Sequence, residues 1–309
     1  ERGFAEAQAA GQKPFTFSGV RALAVDDEEM NLMVAKGVLG SYGIEVDTCL
    51  SGREAVARCN TESYDIIFLD HMMPGFDGVE TLKRIRDLGE GMYRDLPIIA
   101  LTANTVSGAR EMFRSEGFTE FVPKPIERTV LERVLRKVLP KSCIRYDERS
   151  TATATTAALE PAPAPLEVPE PEVPAAETGP AAEPAAPEAA SPADGFQHLA
   201  RLGVNVELGL GYCAGDGNFY REMLQMFAAQ AQEKHDEIAS LYESADWEGY
   251  TVKVHALKST SLTIGAEALS AQAKELELAG KRGDIDLIHA RHAALMRAYE
   301  ELCAQIAGQ

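Results

Sequence analysis

The stretch Ile66-Ile67-Phe68-Leu69-Asp70 is a run of four apolar side chains that ends in a carboxylate. Three other short apolar runs also end in polar side chains, namely Asp26-Asp27, Thr102 and Lys124. Apolar runs of this length, separated by amphipathic stretches, predict strands of a parallel α/β sheet. The carboxyl ends of such strands lie along one edge, where these folds build their sites. The sequence therefore predicts three carboxylates, a hydroxyl and an ammonium at that edge.

The alternation of apolar runs and amphipathic stretches continues from Val20 to Leu139 and predicts five strands and five helices. The first strand is expected at Arg21–Val25. Ser51 is expected to cap the helix that follows the second strand, because its hydroxyl can accept a hydrogen bond from a backbone N–H of the first turn.

Proline marks a boundary in the chain. Ten of the 16 prolines lie between Pro161 and Pro192, in a stretch rich in Ala and Glu that contains no aromatic residue, Lys or Arg. This composition predicts an extended, disordered, acidic linker. We therefore expect an N-terminal extension at residues 1–19, a first domain at 20–140, the linker at 141–195 and a second domain at 196–309.

The charge balance is acidic, with a formal net charge of -18, which argues against nucleic acid or an anionic membrane as a partner. Five scattered cysteines without a CxxC pair predict buried or free thiols in a reducing compartment. No apolar run is long enough to span a bilayer, so a cytoplasmic location is expected. Because the sequence begins with Glu1, we expect a fragment whose parent can carry a membrane anchor upstream.

The residues at the predicted sheet edge suit a divalent cation and a phosphoryl group. Mg2+ takes oxygen ligands, and four candidates lie here: the carboxylates of Asp26, Asp27 and Asp70 and the backbone carbonyl of Met72. A carboxylate beside such an ion can attack phosphorus, which makes Asp70 the candidate nucleophile. The Lys124 ammonium and the Thr102 hydroxyl would then bond phosphoryl oxygens.

These residues lie in motifs similar to those of the receiver domain of bacterial response regulators. The matching stretches are Ala24–Asp27, Leu69–Gly78, Ala100–Ala103 and Val122–Pro125. The resemblance covers about residues 20 to 140 and implies an α/β, flavodoxin-like fold with a five-stranded parallel sheet. It also implies that Asp70 is the phospho-acceptor, that Asp26 and Asp27 bind Mg2+, and that Thr102 and Lys124 stabilise the phosphoryl group.

Neighbouring residues leave alternatives open. Phe121 occupies the position of this family's switch aromatic, whereas its place in a strand predicts only a half-buried side chain. The Lys124-Pro125 pair resembles the family's cis peptide. His71 either faces solvent in a loop or positions water near the phosphoryl group.

After the linker the apolar spacing becomes helical. Helices are predicted at Phe219–Tyr242, Trp247–Leu262, Ala266–Leu278 and Ile285–Ile306. Four helices joined by short turns predict a separate all-α four-helix bundle. Asn218 and Asp284 are the expected N-caps, and Gly280 and Gly283 are the expected helix stops.

His255 lies outside the apolar stripe of its helix, so its imidazole is expected to face solvent or a partner. The stripe itself is predicted from Val254, Leu257, Ser261 and Ile264. Lys258 and Ser259 follow His255 at +3 and +4 and share its face, where a cation and a small residue would accommodate a phosphoryl group. By contrast, His289 and His292 are expected on a solvated helix face rather than at a metal site.

The string His255-Ala256-Leu257-Lys258-Ser259-Thr260-Ser261 resembles the motif of the histidine-phosphotransfer (HPt) domain. The resemblance covers about residues 196 to 307. It implies that His255 is a phospho-acceptor supported by Lys258. Many members carry Gly where this chain has Ser259, which is still small.

Together the two resemblances predict a phosphorelay protein. Asp70 would accept a phosphoryl group from a phosphohistidine of a histidine kinase core, upstream or in trans, and His255 would pass one to a downstream response-regulator receiver. The order receiver then HPt is that of the C-terminal part of a hybrid sensor histidine kinase. No glycine-rich ATP lid or Asn-rich nucleotide box is present in this sequence, so the fragment is not expected to autophosphorylate from ATP.

Two other classes compete with the relay. A phosphatase that uses an Asp nucleophile typically has a second Asp two residues later, where this chain has Met72. A docking scaffold would not need the acid cluster, which is intact in the sequence. A phosphate sink, in which Asp70 and His255 never exchange phosphate directly, stays open.

Overall fold

The computed structural model describes residues 15–91, 93–103, 109–146 and 195–308. The segment predicted as linker therefore lies outside the described residues from 147 to 194. The strands of the first domain are β1 Phe15–Phe17, β2 Arg21–Val25, β3 Glu45–Cys49, β4 Ile66–Asp70, β5 Ile98–Thr102, β6 Glu120–Pro123 and β7 Ile144–Tyr146. Five of them form a parallel sheet in the order β3-β2-β4-β5-β6.

Helices cover both faces of this sheet, as the apolar pattern of the strands requires. Along β2 the side chains alternate, with Ala22 and Ala24 in one buried cluster and Leu23 and Val25 in the other. The helices are α1 Glu29–Gly40, α2 Gly52–Thr61, α3 Gly78–Arg86, α4 Ala109–Glu116 and α5 Arg128–Val138. The doubly wound α/β fold predicted from the sequence is confirmed.

Several local predictions in this domain are confirmed. Strand β2 has the predicted bounds, and the Ser51 side chain accepts a hydrogen bond from the Glu54 N–H. The Lys124-Pro125 peptide bond is cis. One feature was not predicted: β1 and β7 pair in a small second sheet.

All elements described after residue 195 are helices. They are α6 Gln197–Arg201, α7 Val206–Tyr212, α8 Gly217–Ala229, α9 Ala231–Glu243, α10 Trp247–Thr263, α11 Glu267–Arg282 and α12 Ile285–Ala307. Helix α10 packs along α11, α11 along α12, and α9 against both α10 and α12. These four helices therefore form the predicted bundle.

Three details of the helix predictions are wrong. The single helix predicted at Phe219–Tyr242 is two helices, because the first ends with Gln230 as its C-cap. Its N-cap is Asp216 rather than Asn218, because the Asp216 carboxylate accepts hydrogen bonds from two backbone N–H groups of the first turn. Helix α11 continues through Gly280 and is capped by Gly283, whose φ of 69° is left-handed. The Asp284 cap and the Gly283 stop are confirmed.

The described residues of 15–145 and 195–308 belong to one compact unit. Buried apolar side chains of both domains form a continuous cluster. At Gly37 of α1 an added Cβ would lie 3.0 Å from the Phe219 ring of α8, so these two helices touch closely. All five cysteines are free, and no described helix is long and apolar enough to cross a membrane.

Candidate functional site

The three carboxylates predicted at the sheet edge come together. Asp26 follows β2 and Asp70 ends β4, and these strands are parallel neighbours in the sheet. One oxygen from each of Asp26, Asp27 and Asp70 lies within 4.8 Å of the others. Asp26 and Asp70 are buried, at 0% and 2% exposure, and Asp27 is half-buried.

Lys124 lies in the same cluster, because it directly follows β6 at the carboxyl edge of the sheet. Its Nζ is 2.5 Å from Asp26 Oδ2 and 2.8 Å from Asp70 Oδ2. Burial disfavours its charged form, but the two carboxylates outweigh this and hold the pKa of Lys124 above its ordinary value. The Lys124 backbone N–H also donates to the Thr102 carbonyl at 2.7 Å, which fixes β6 to β5 at the edge.

The cluster carries more negative charge than one lysine neutralises. Burial, followed by the charges of Asp26 and Glu28, raises the pKa of Asp27 to about 6. Burial also raises the pKa of Asp70 above its ordinary value, although the Lys124 ammonium opposes this. Crowded carboxylates with raised pKa values are what a divalent cation would relieve.

The donor set fits Mg2+. All candidate ligands are oxygens, and Asp27 Oδ2 is buried without a hydrogen-bond partner among the described residues. The Met72 N–H donates to Asp70 Oδ1 at 3.2 Å, which keeps the Met72 peptide beside the acids. The Met72 carbonyl as a further ligand stays a prediction.

The side chains predicted to respond to a phosphoryl group line the same end of the sheet. Thr102 is buried at the end of β5. Phe121 is half-buried, and its ring lies 5.8 Å from that of Phe113. His71 is neither purely solvent-facing nor free, because its Nε2 lies 3.4 Å from Glu116 Oε2 and its ring packs edge-on against Phe113. The switch and sensing roles stay predictions.

The second predicted acceptor, His255, is buried at 4% exposure in the middle of α10. Its Nδ1 lies 2.8 Å from Glu277 Oε1 on α11. Because an ionised carboxylate can only accept, the proton of the neutral ring is on Nδ1 and the lone pair is on Nε2. Nε2 is therefore the nitrogen available as a nucleophile.

Glu277 is buried next to His255, at 3% exposure, and its carboxylate accepts hydrogen bonds from three side chains. It accepts from Lys258 Nζ at 2.5 Å and from Lys281 Nζ at 2.5 Å, besides His255. Burial opposes ionisation of Glu277, but these partners hold its pKa well below the ordinary range. Burial, with help from Lys258, lowers the pKa of His255 to about 4 although Glu277 opposes the shift. The ring is thus neutral at physiological pH.

The four residues predicted as the core stripe are buried: Val254, Leu257, Ser261 and Ile264. The residues between them, including His255 and Lys258, are buried as well, so this part of the helix is buried on all sides rather than along one stripe. Ser259 is buried as well, and its hydroxyl has no hydrogen-bond partner among the described residues. Lys258 shares the His255 face as predicted but is paired with Glu277.

Helix α10 lies across the edge of the sheet that carries the acids. Near its start, Trp247 and Thr251 share a cavity of about 430 Å³ with His71 and Met72 of the loop after β4. At its end, Thr263 lines a small cavity with Asp26 and Lys124. His255 lies between these points, and the charge of Lys124 is close enough to contribute to its lowered pKa. The helix that carries the imidazole therefore lies against the acid-bearing end of the sheet in the same chain.

Glu277 was missed by the sequence analysis. Its only sequence signal is the i, i+4 pair with Lys281, which is common on solvated helix faces. The contact with His255 depends on how α10 and α11 pack, and 22 positions separate the two residues in the chain.

Comparison with known families agrees with both sequence resemblances. Residues 22–136 match the family described as response regulator receiver domain, and residues 222–307 match the Hpt domain. The chain thus carries a receiver domain followed by an Hpt domain, a combination that fits a two-component phosphorelay.

The curated relatives include hybrid histidine kinases. The chain is 35% identical over 139 residues to hybrid signal transduction histidine kinase L of Dictyostelium discoideum, covering 43% of this chain and 8% of the relative. It is 33% identical over 122 residues to BarA of Escherichia coli K12, covering 40% of this chain and 13% of the relative. The chain spans less than a fifth of the length of either protein.

Among solved structures, the receiver domain of the sensor histidine kinase PA1611 from Pseudomonas aeruginosa is 35% identical, with a TM-score of 0.35. The match covers 39% of this chain and 98% of that one, which holds a magnesium ion coordinated in its active site cleft. The chemotaxis protein CheY4 of Vibrio cholerae is 31% identical, with a TM-score of 0.37, over 40% of this chain and all of that one.

Proposed function

We propose that this chain relays phosphoryl groups through two acceptors, Asp70 and His255. One observation carries the proposal: His255, with Nδ1 2.8 Å from Glu277, is buried in the helix that shares one cavity with the loop after Asp70 and another with Asp26 and Lys124. This arrangement supports a nucleophile and a phospho-acceptor on facing surfaces of the two domains.

Asp26, Asp27, Asp70 and the Met72 carbonyl are the residues that would hold Mg2+. Bound there, the ion would supply positive charge against the phosphoryl oxygens and so lower the repulsion between them and the attacking carboxylate. The buried Asp27 Oδ2, which has no hydrogen-bond partner in the described part of the chain, supports this assignment.

In the first step an Asp70 oxygen attacks the phosphorus of a phosphohistidine. The new bond joins that oxygen to phosphorus, and the N–P bond breaks with its electron pair returning to the donor imidazole. Lys124, which is 2.8 Å from Asp70 Oδ2, would pair with a phosphoryl oxygen, and Thr102 would bond another.

In the second step Nε2 of His255 attacks the phosphorus on Asp70. The Nε2–P bond forms while the O–P bond breaks, and its electrons return to the Asp70 carboxylate. The product ring carries positive charge because Nδ1 keeps its proton, and the Glu277 carboxylate lies 2.8 Å away to stabilise that charge. His255 would then donate to a downstream response-regulator receiver.

The parent protein that we propose is a bacterial hybrid sensor histidine kinase, with these residues in its C-terminal part and in the cytoplasm. The match to BarA supports this parent, although the match spans 13% of it. The kinase core, upstream or in trans, would supply the phosphohistidine.

The test is labelling of the purified chain with a small-molecule acyl phosphate and Mg2+. We expect acid-stable, base-labile label on Asp70 and acid-labile, base-stable label on His255. Asp70→Asn should abolish both, whereas His255→Gln should abolish only the second. Persistent base-labile label in Asp70→Asn would overturn the acceptor assignment, and label confined to Asp70 in the unaltered chain would favour the phosphate sink.

A further inference from the structure

The two domains are joined by an ion pair beside the acid cluster. Lys234 of α9 pairs with Glu28, the residue that follows Asp27 in the receiver. Both side chains are largely buried, at 14% and 8% exposure. A buried ion pair selects one arrangement strongly, because removing either partner leaves the other charge buried and uncompensated.

Other contacts between the two domains near this pair have the same arrangement of charge: the receiver supplies the acidic side chains and the Hpt domain supplies the donors. Gln230 Nε2 donates to Glu29 Oε2 at 3.2 Å. Lys253 of α10 likewise places a positive charge near Asp27.

This arrangement covers the phosphotransfer histidine. His255 is 4% exposed while the domains are together. The face of α10 that carries it lies on the receiver, from the loop after β4 at one end to Lys124 at the other. A second receiver could reach His255 only by taking the place of the first.

We propose that the receiver of this chain both loads His255 within the same chain and shields it from other receivers, with the Lys234–Glu28 pair as the contact that specifies this docking. The inference rests on the proposed function. Transfer from Asp70 to His255 is then a first-order event, and transfer outward requires the two domains to separate. The partner that replaces the receiver is another domain of receiver fold with an acid at the position of Glu28.

Lys234→Glu tests the docking contact, with Lys234→Arg as the conservative variant. Arg201→Glu is the control, because it makes the same change of charge at an exposed position of the Hpt domain. In the unaltered chain, the rate constant for loading His255 from labelled Asp70 should not depend on protein concentration. Lys234→Glu should slow loading by about tenfold or more, and Lys234→Arg and Arg201→Glu should not.

Shielding of His255 by the receiver can be measured without any phosphoryl transfer. His255 should react slowly with diethyl pyrocarbonate in the unaltered chain, as followed by mass spectrometry of its peptide, and several times faster in Lys234→Glu. The double variant Glu28→Lys/Lys234→Glu should restore slow reaction, because it rebuilds the pair with reversed charges.

The proposal is overturned if loading in the unaltered chain rises in proportion to concentration, or if Lys234→Glu loads and reacts like Arg201→Glu. Failure of the proposed function looks different, because the unaltered chain would then carry no label on Asp70 or none on His255. Asp70 labelling is measured in every variant, so a damaged acid cluster is recognised separately from lost docking.

Discussion

At the scale of single residues, the chemistry of His255, the proposed second acceptor, is set by the carboxylate of Glu277. Glu277 stays ionised because one histidine and two lysines surround it. Its bond to Nδ1 fixes the tautomer, and burial keeps the ring neutral. The nucleophilic lone pair on Nε2 is therefore present without any proton having to leave.

The first prediction concerns the protonation of His255. Burial lowers its pKa to about 4, so the ring should stay neutral as the pH falls from 8 to 5, a range in which an ordinary imidazole near 6.5 becomes mostly protonated. NMR titration of the ring proton resonance, assigned by its loss in His255→Gln, should give a midpoint well below that of an ordinary imidazole. A midpoint near 6.5 would contradict the buried geometry.

The second prediction removes the charge of Glu277. In Glu277→Gln the amide oxygen can still accept from Nδ1, but it cannot neutralise the ring that becomes positive on phosphorylation. Loading of His255 should slow by about tenfold, the effect of losing one charge-assisted hydrogen bond. The pKa of His255 should fall further, because Glu277 normally raises it.

Glu275→Gln is the matched control for that change. Glu275 lies on the same helix as Glu277, but its side chain is 43% exposed and lies 3.8 Å from the side chain of Arg291. It should leave loading and the His255 titration unaltered. Equal effects of the two substitutions would assign Glu277 a merely structural role.

At the scale of elements, the sequence predicted what depends on local periodicity. The five strands, the acids at their ends and the burial of the four predicted stripe residues of α10 follow from apolar spacing, and all were found. The break at Gln230 and the passage of α11 through Gly280 were not predicted, because neighbouring helices decide them. Glu277 was not predicted for the same reason. Its contact with His255 depends on how α10 and α11 pack, which the spacing of residues in the sequence does not show.

Gly280 shows what that helix contact requires. A Cβ there would lie 1.9 Å from Thr251 Oγ1 of α10, so the absence of a side chain lets α10 and α11 approach closely. This approach sets the distance between His255 and Glu277, which lie on the same two helices. A glycine expected to end a helix is instead a packing position.

The third prediction follows from this contact. Gly280→Ala should destabilise the protein by about 1–3 kcal/mol through overpacking, measured by chemical unfolding, and should slow loading of His255. Adding Thr251→Ala should recover part of the stability, since it removes the clashing hydroxyl. Gly211→Ala in α7, where a Cβ meets nothing within 4 Å, is the control. Equal stability of Gly280→Ala and Gly211→Ala would refute the packing argument.

At the scale of the whole molecule, the proposed relay makes the acid cluster and the imidazole two halves of one site. The continuous apolar cluster holds the receiver and the Hpt domain together, and charged contacts at its border orient them. Lys124 of the receiver contributes to the lowered pKa of His255, so we expect this pKa to depend on docking as well as on the bundle. The histidine titration therefore reports whether the domains are together.

The last prediction uses the His255 titration to follow a change at the contact between α1 and α8, away from Asp70 and His255. Gly37 of α1 meets the Phe219 ring of α8, with only 3.0 Å available for an added Cβ, whereas Gly40 of the same helix has nothing within 4 Å. Gly37→Leu should force the helices apart, so that His255 gains solvent and its NMR titration midpoint rises from about 4 toward 6.5. Gly40→Leu should leave the midpoint unchanged. Because an added Cβ at either glycine would meet neither the ring nor the acids, a midpoint shift confined to Gly37→Leu would support separation of the domains. An unshifted midpoint would mean that the bundle alone buries the histidine.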